Sequence, residues 1–163
     1  MHVGEVGYLA KVSIEEKASL WLRAGGELIV EDGAEVIVKS GATLVLGEGS
    51  RLTVRQGGRI LVEPGGELRL YGGSTVNLRD QTCNIHIQGW LTVKGNFDFP
   101  GDGFFQFDRG NTLIVDDEWR LEGRGKGERF IRMNEEAQLK VGGKKITLRH
   151  GEVTYREGSS LKI

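Results

Sequence analysis

The chain has 163 residues with a formal net charge of −1, and 26 of them are glycine against only two prolines. Glycine at about twice its usual share would suit collagen or a disordered tract, but it does not fall at every third position and 38 % of residues are hydrophobic, which excludes both. The charge balance implies no bulk attraction to nucleic acid or to an anionic membrane, and the single Cys83 excludes a disulfide framework and a cysteine-cluster zinc site.

The length suits one domain, since about 100–200 residues is typical. At the N-terminus, MHVGEVGYLAKV carries neither the basic nor the apolar segment of a secretion signal. No apolar run reaches the roughly 18 residues that a membrane helix needs, so no membrane insertion is expected. From residue 9 to residue 80 the chain is a repeat. Gly25, Gly33, Gly41, Gly49, Gly57, Gly65 and Gly73 fall eight residues apart, opening the segments GGELIVED, GAEVIVKS, GATLVLGE, GSRLTVRQ, GGRILVEP, GGELRLYG and GSTVNLRD. The second position is always Gly, Ala or Ser, and the fourth and sixth are always Leu, Ile or Val. The pattern extends backward without its glycine through KASLWLRA (17–24) and LAKVSIEE (9–16).

Apolar residues at positions four and six give the two-residue period of a half-buried strand. A glycine followed by a small residue makes a bend where backbone crowds backbone or φ turns positive. Each octad is therefore a short strand plus a corner. A stack of hairpins would need Asn-Gly or Asp-Gly turns, and only Asp32-Gly33 offers one. The polarity of the pattern is translated rather than reversed, which predicts an all-β, single-chain parallel β-solenoid.

Charge fixes the size of the coil, because stacked strands bring equivalent positions to about 4.8 Å and like charges there are unfavourable. At a spacing of 24 residues, Lys11/Glu35, Glu15/Lys39, Glu27/Arg51, Glu31/Arg55, Glu35/Arg59 and Lys39/Glu63 are all opposite in sign, and only Arg55/Arg79 is like-signed. At a spacing of 16, like pairs appear, among them Glu15/Glu31, Arg23/Lys39 and Lys39/Arg55. The pattern favours three strands per coil of about 24 residues, with the chain stacked on itself. In an intertwined trimer, such as a phage fibre or spike, the octads would stack on other chains and that spacing would have no special role.

Residues 81–163 keep strand-like pairs at a looser beat: Ile85/Ile87, Leu91/Val93, Phe97/Phe99, Phe105/Phe107, Leu113/Val115, Trp119/Leu121, Leu139/Val141, Ile146/Leu148, Val153/Tyr155 and Leu161/Ile163, with a gap across 123–133. Looser coils are expected to continue here, about seven in all and about 35 Å of rod, with an insertion loop near 123–129. The phenylalanines between 96 and 107 read as core stacking.

The runs GSRLTVRQGGRILVEPGGELRLYGGSTVNLRD and GWLTVKGNFDFPGDGFFQFD resemble the β-helical repeat stretches of large secreted or surface-displayed bacterial proteins. The resemblance covers residues 25–148. It implies a right-handed coil, an extracellular or cell-surface location and a role as spacer or adhesin-like shaft, and it brings no catalytic motif.

Chemistry-bearing residues are sparse. Asp98, Asp102, Asp108, Asp116, Asp117 and Glu118 are the acids that a polysaccharide-cleaving or calcium site could use, but they lack the spaced ligands of a calcium loop. His2, His86 and His150 are scattered, and His86, between Ile85 and Ile87, reads as facing solvent. Cys83 reads as a small filler, with no Cys-His-acid spacing to make it a nucleophile. The stretch GRGKG at 123–127 lacks phosphate-loop spacing. No enzyme activity, cofactor or metal is expected.

Position five of the octads should face outward, yet it is apolar at Trp21, Ile29, Ile37, Val45 and Leu61, turning polar at Thr53, Arg69 and Asn77. This is no flat threonine ladder of the ice-binding kind, and the five apolar residues are the candidate interface patch. Neither end shows a cap, as the open edges of a solenoid would require. The expectation is a rigid shaft, spacer or self-assembling filament element. Its expected partners are further copies, end to end or side by side, or neighbouring domains of a longer chain. The alternative is a glycan-binding or glycan-cleaving module near Phe104, Asp108, Trp119 and Arg124.

Overall fold

A computed structural model describes residues 1–3, 10–94, 97, 103–107, 112–115, 128–133, 138–141, 144–147 and 152–156, with backbone alone for Phe104 and from Phe107 onward. In chain order the described strands are β1 (His2–Val3), β2 (Lys11–Ile14), β3 (Ser19–Leu22), β4 (Glu27–Val30), β5 (Glu35–Val38), β6 (Thr43–Leu46), β7 (Arg51–Val54), β8 (Arg59–Val62) and β9 (Glu67–Tyr71). They continue as β10 (Thr75–Leu78), β11 (Asn84–Ile87), β12 (Trp90–Lys94), β13 (Phe104–Phe107), β14 (Thr112–Val115), β15 (Glu128–Met133), β16 (Gln138–Val141), β17 (Lys144–Thr147) and β18 (Glu152–Arg156). No helix occurs among the described residues.

Through β12, every third strand joins the same sheet. The first sheet runs β1-β4-β7-β10, the second β2-β5-β8-β11-β13-β15-β18 and the third β3-β6-β9-β12-β14-β16-β17. Through the regular part the register is the 24-residue coil: Lys11 pairs with Glu35 and Glu35 with Arg59, Ser19 with Thr43 and Thr43 with Glu67, Glu27 with Arg51 and Arg51 with Thr75, all in parallel. The chain thus makes a three-sided parallel β-solenoid of about four turns.

The corners explain the glycine beat. Each regular corner is a turn closed between its first carbonyl and its fourth amide, as where the Gly58 amide donates to the Arg55 carbonyl at 2.7 Å and Ala42 to Lys39 at 2.9 Å. The third residue of the turn is the in-phase glycine, and all seven have φ between 67° and 82°, as a type II turn requires. Lys17 stands at the same phase one octad earlier and takes φ 64°. The turns also bond one another along the axis, Gly41 donating to the Gly65 carbonyl at 2.8 Å and Gly49 to Gly73 at 3.2 Å.

The core is a solid column in which each face carries its own chemistry. The second sheet turns inward Val36, Val38, Ile60, Val62, Ile85 and Ile87, and the third Leu44, Leu46, Leu68, Leu70, Leu91 and Val93, all buried. β-branched side chains stacked against leucines fill the interior level by level. Phe97 and Phe105 are buried and meet edge to face with centroids 6.3 Å apart, the core stacking expected of this Phe-rich stretch.

Beyond β10 the structure departs from simple continuation. Five residues join β10 to β11 and two join β11 to β12, where four join β7 to β8. The first sheet has no described strand after β10, so the full three-sided coil makes about four turns rather than seven. Within the stretch read as a gap, β15 forms a six-residue strand that pairs in parallel with β13. Its sequence ERFIRM carries no glycine beat and places Phe130 next to Ile131, which hides the alternation. The last two strands reverse direction, β17 antiparallel to β16 and β18 antiparallel to β15. Hydrophobic alternation is the same in both directions, so the sequence pattern carries no sign of that reversal.

Candidate functional site

The outer surface of the second sheet is a set of charge ladders. Glu35 sits between Lys11 at 3.1 Å and Arg59 at 2.8 Å, and Lys39 reaches Glu15 at 2.9 Å. On the first sheet Glu31 receives Arg55 at 2.7 Å and lies 2.8 Å from His2 Nδ1. The His2 hydrogen bond, with Arg55 beside it, holds the Glu31 carboxyl below the usual carboxylate range. The Glu15 hydrogen bond and charge hold the Lys39 ammonium above its ordinary value. Four of the six opposite-signed pairs read from the spacing are thus direct ion pairs. The like-signed Arg55 and Arg79 are tolerated because Glu31 already neutralises Arg55.

The five apolar residues at position five do not make one patch. Register puts Ile29 on the first sheet, Ile37 beside Leu61 on the second, and Trp21 beside Val45 on the third. Nor are they uniformly exposed: Ile29 is 8 % exposed, Ile37 and Val45 4 % each, and Leu61 half-buried. Ile37 shows why. It is flanked along its strand by Glu35 and Lys39 and across the sheet by Ser13 and Leu61, so neighbours close on four sides. Long charged side chains cover apolar surface with their stems in this way. Only Trp21, on the terminal strand of its sheet, stays open at 59 %.

The third sheet differs from the other two faces. Among the described side chains, the Trp and Tyr residues are Trp21, Tyr71 and Trp90, and all three belong to this sheet. Trp90 is 46 % exposed. A chain of hydrogen bonds fixes the middle of the face. Arg69 donates to both Glu67 oxygens, at 2.6 and 3.0 Å, and Thr92 Oγ1 donates to Glu67 at 2.8 Å. Burial works to raise the Glu67 pKa, but Arg69 and Thr92 outweigh it and hold the group below the usual range. Glu67 holds the Arg69 guanidinium above its ordinary value, with a smaller contribution from Tyr71 two residues on.

Next to Tyr71 the surface opens into a recess of about 350 Å³ lined by Trp21, Arg23, Ala24, Gly47, Glu48 and Tyr71. Gly47 in its lining leaves no room for a side chain: a Cβ there would stand 2.9 Å from the Leu22 carbonyl oxygen and 3.2 Å from Trp21 Nε1. The Arg23 and Glu48 side chains make no ion pair or hydrogen bond among the described residues, and neither does Trp21 Nε1. A second recess, lined by Lys11, Glu35 and Arg59, is walled by charges already paired with one another.

Other candidates fall elsewhere. His86 lies on the outward side of β11, as its alternation with Ile85 and Ile87 predicts, and is half-buried between Leu61 and Gln106 in register. Cys83 is buried in the small-residue corner position that Gly58 fills one coil earlier. Burial pushes its thiol pKa up, as suits a filler. Asp98, Asp102, Asp108, Asp116, Asp117, Glu118, Trp119, Arg124, His150 and the stretch 123–127 lie outside the described residues, as does the Phe104 side chain. Among the described residues no group of three or more His, Cys, Asp or Glu could hold a metal ion, and no helix is long and apolar enough to cross a membrane.

The register and the three faces define the class, a parallel β-solenoid. No protein-family model, no curated protein sequence and no solved structure matches this chain.

Proposed function

We propose that the protein is a structural element, a stiff spacer or self-assembling filament unit of a bacterial cell-surface or extracellular assembly, with no catalytic role. The observation that carries this reading is the unbroken stacking of like faces. Filled core columns run through the described coils, and cross-coil ion pairs join the first three of them. The likeness of the octads to repeat stretches of surface-displayed proteins supports the location. Terminal strands such as β2 and β3 leave a hydrogen-bonding edge on which further coils could add.

Size-exclusion chromatography with light scattering, followed by electron microscopy, tests the reading. End-to-end oligomers or filaments that grow with concentration are expected. A strictly monomeric species at millimolar concentration would overturn the assembling form, and small-angle scattering of a flexible chain would overturn the spacer form.

A further inference from the structure

The recess beside Tyr71 has the ingredients of a site rather than of a plain surface. Its two aromatic walls, Trp21 and Tyr71, come from strands two coils apart, with Gly47 also in the lining. Beside the Tyr71 wall, the hydrogen-bonded Thr92, Glu67 and Arg69 fix the middle of the face. At the rim stand one cation, Arg23, and one anion, Glu48, both without partners among the described residues.

That combination selects its ligand. A simple anion would meet Glu48 and a simple cation would meet Arg23. A purely apolar ligand would desolvate both charges without replacing their hydrogen bonds, which is unfavourable. A sugar ring satisfies all the groups at once. Its C–H face stacks on an indole or phenol, and its hydroxyls both accept from a guanidinium and donate to a carboxylate. The volume of about 350 Å³ lies at the small end for ligand pockets, as suits one ring of a longer chain. Trp90, exposed one coil beyond on the same sheet, lies in register with Glu67 rather than with Tyr71 and so stands at the opposite edge of the face.

We propose that this corner of the third sheet binds a neutral polysaccharide, with one pyranose ring stacked against Trp21 and Tyr71 and its hydroxyls held by Arg23 and Glu48. The proposal uses neither Asp108 nor Trp119, and it does not depend on the shaft reading, since a monomer could bind equally well.

Isothermal titration and tryptophan fluorescence with cellohexaose, mannohexaose and chitohexaose test it, with hexagalacturonate and choline chloride as anionic and cationic comparisons. At least one neutral hexaose is expected to bind. Trp21→Ala should weaken binding about tenfold or more, and Arg23→Ala and Glu48→Gln should each weaken it by a smaller factor. Trp21 is exposed, so its variant should keep the wild-type melting temperature. No binding of any neutral hexaose at millimolar concentration would overturn the proposal. So would binding that Trp21→Ala leaves unchanged, or binding of choline or hexagalacturonate alone.

Discussion

Lys17 occupies a left-handed backbone position, φ 64°, that glycine fills at the seven following corners. A residue with a Cβ gives up roughly 1–2 kcal/mol there, while glycine carries a larger entropy loss on folding, about 0.5–1 kcal/mol. Lys17→Gly should therefore leave stability unchanged or raise it by up to about 1 kcal/mol. Gly57→Ala should cost about 1 kcal/mol, the strain of a Cβ at φ 67° less the smaller entropy loss of alanine, since the added Cβ would meet nothing closer than 3.8 Å. Urea unfolding of the two variants checks both signs, and a neutral Gly57→Ala would remove the backbone explanation of the beat. The corner after β10 shows what replaces glycine. Thr82 accepts from the Gly57 amide at 2.7 Å through its hydroxyl, and Asp80 Oδ1 accepts from the Thr82 amide at 2.8 Å. Side-chain oxygens there take over bonds that backbone supplies elsewhere. The glycine corners were legible in the sequence because only one residue type suits that φ. This substitute was not, because Thr and Asp are ordinary in any loop.

At the scale of the strands, charge sets which coil lies next to which. Glu35 bridges two cations on neighbouring coils while itself nearly buried. Glu35→Lys would align three cations and leave a poorly solvated charge unpaired, at about 2 kcal/mol or more. Adding Lys11→Glu and Arg59→Glu restores the alternation and should recover most of the loss, as thermal unfolding of the single and triple variants would show. Equal stability of Glu35→Lys and wild type would mean that the ladder is decorative. These ladders could be read from spacing alone, since sign and period are sequence properties. The burial of Ile37 and Val45 could not, because it depends on what flanks each residue across the sheet. The recess at Gly47 lay between the two cases: aligning the chain at the coil spacing sets Gly47 beside Tyr71, but the lean of the Trp21 indole over that glycine is a matter of geometry.

The molecule as a whole is a stack in which most neighbours are one coil apart, so its length is adjustable in principle. The ladders restrict how. Down the second sheet the signs alternate, Lys11, Glu35, Arg59 in one column and Glu15, Lys39, Glu63 in the next. A copy of residues 35–58 inserted after residue 58 would set Glu35 upon a second Glu35. A copy of residues 11–58 inserted at the same point would keep every contact in these two columns opposite in sign. The longer insertion should melt at or above the parent temperature and the shorter one below it, as calorimetry can measure; the reverse order would show that packing, not charge, governs added coils. The solenoid thus carries a parity: it grows without electrostatic penalty by coils taken two at a time.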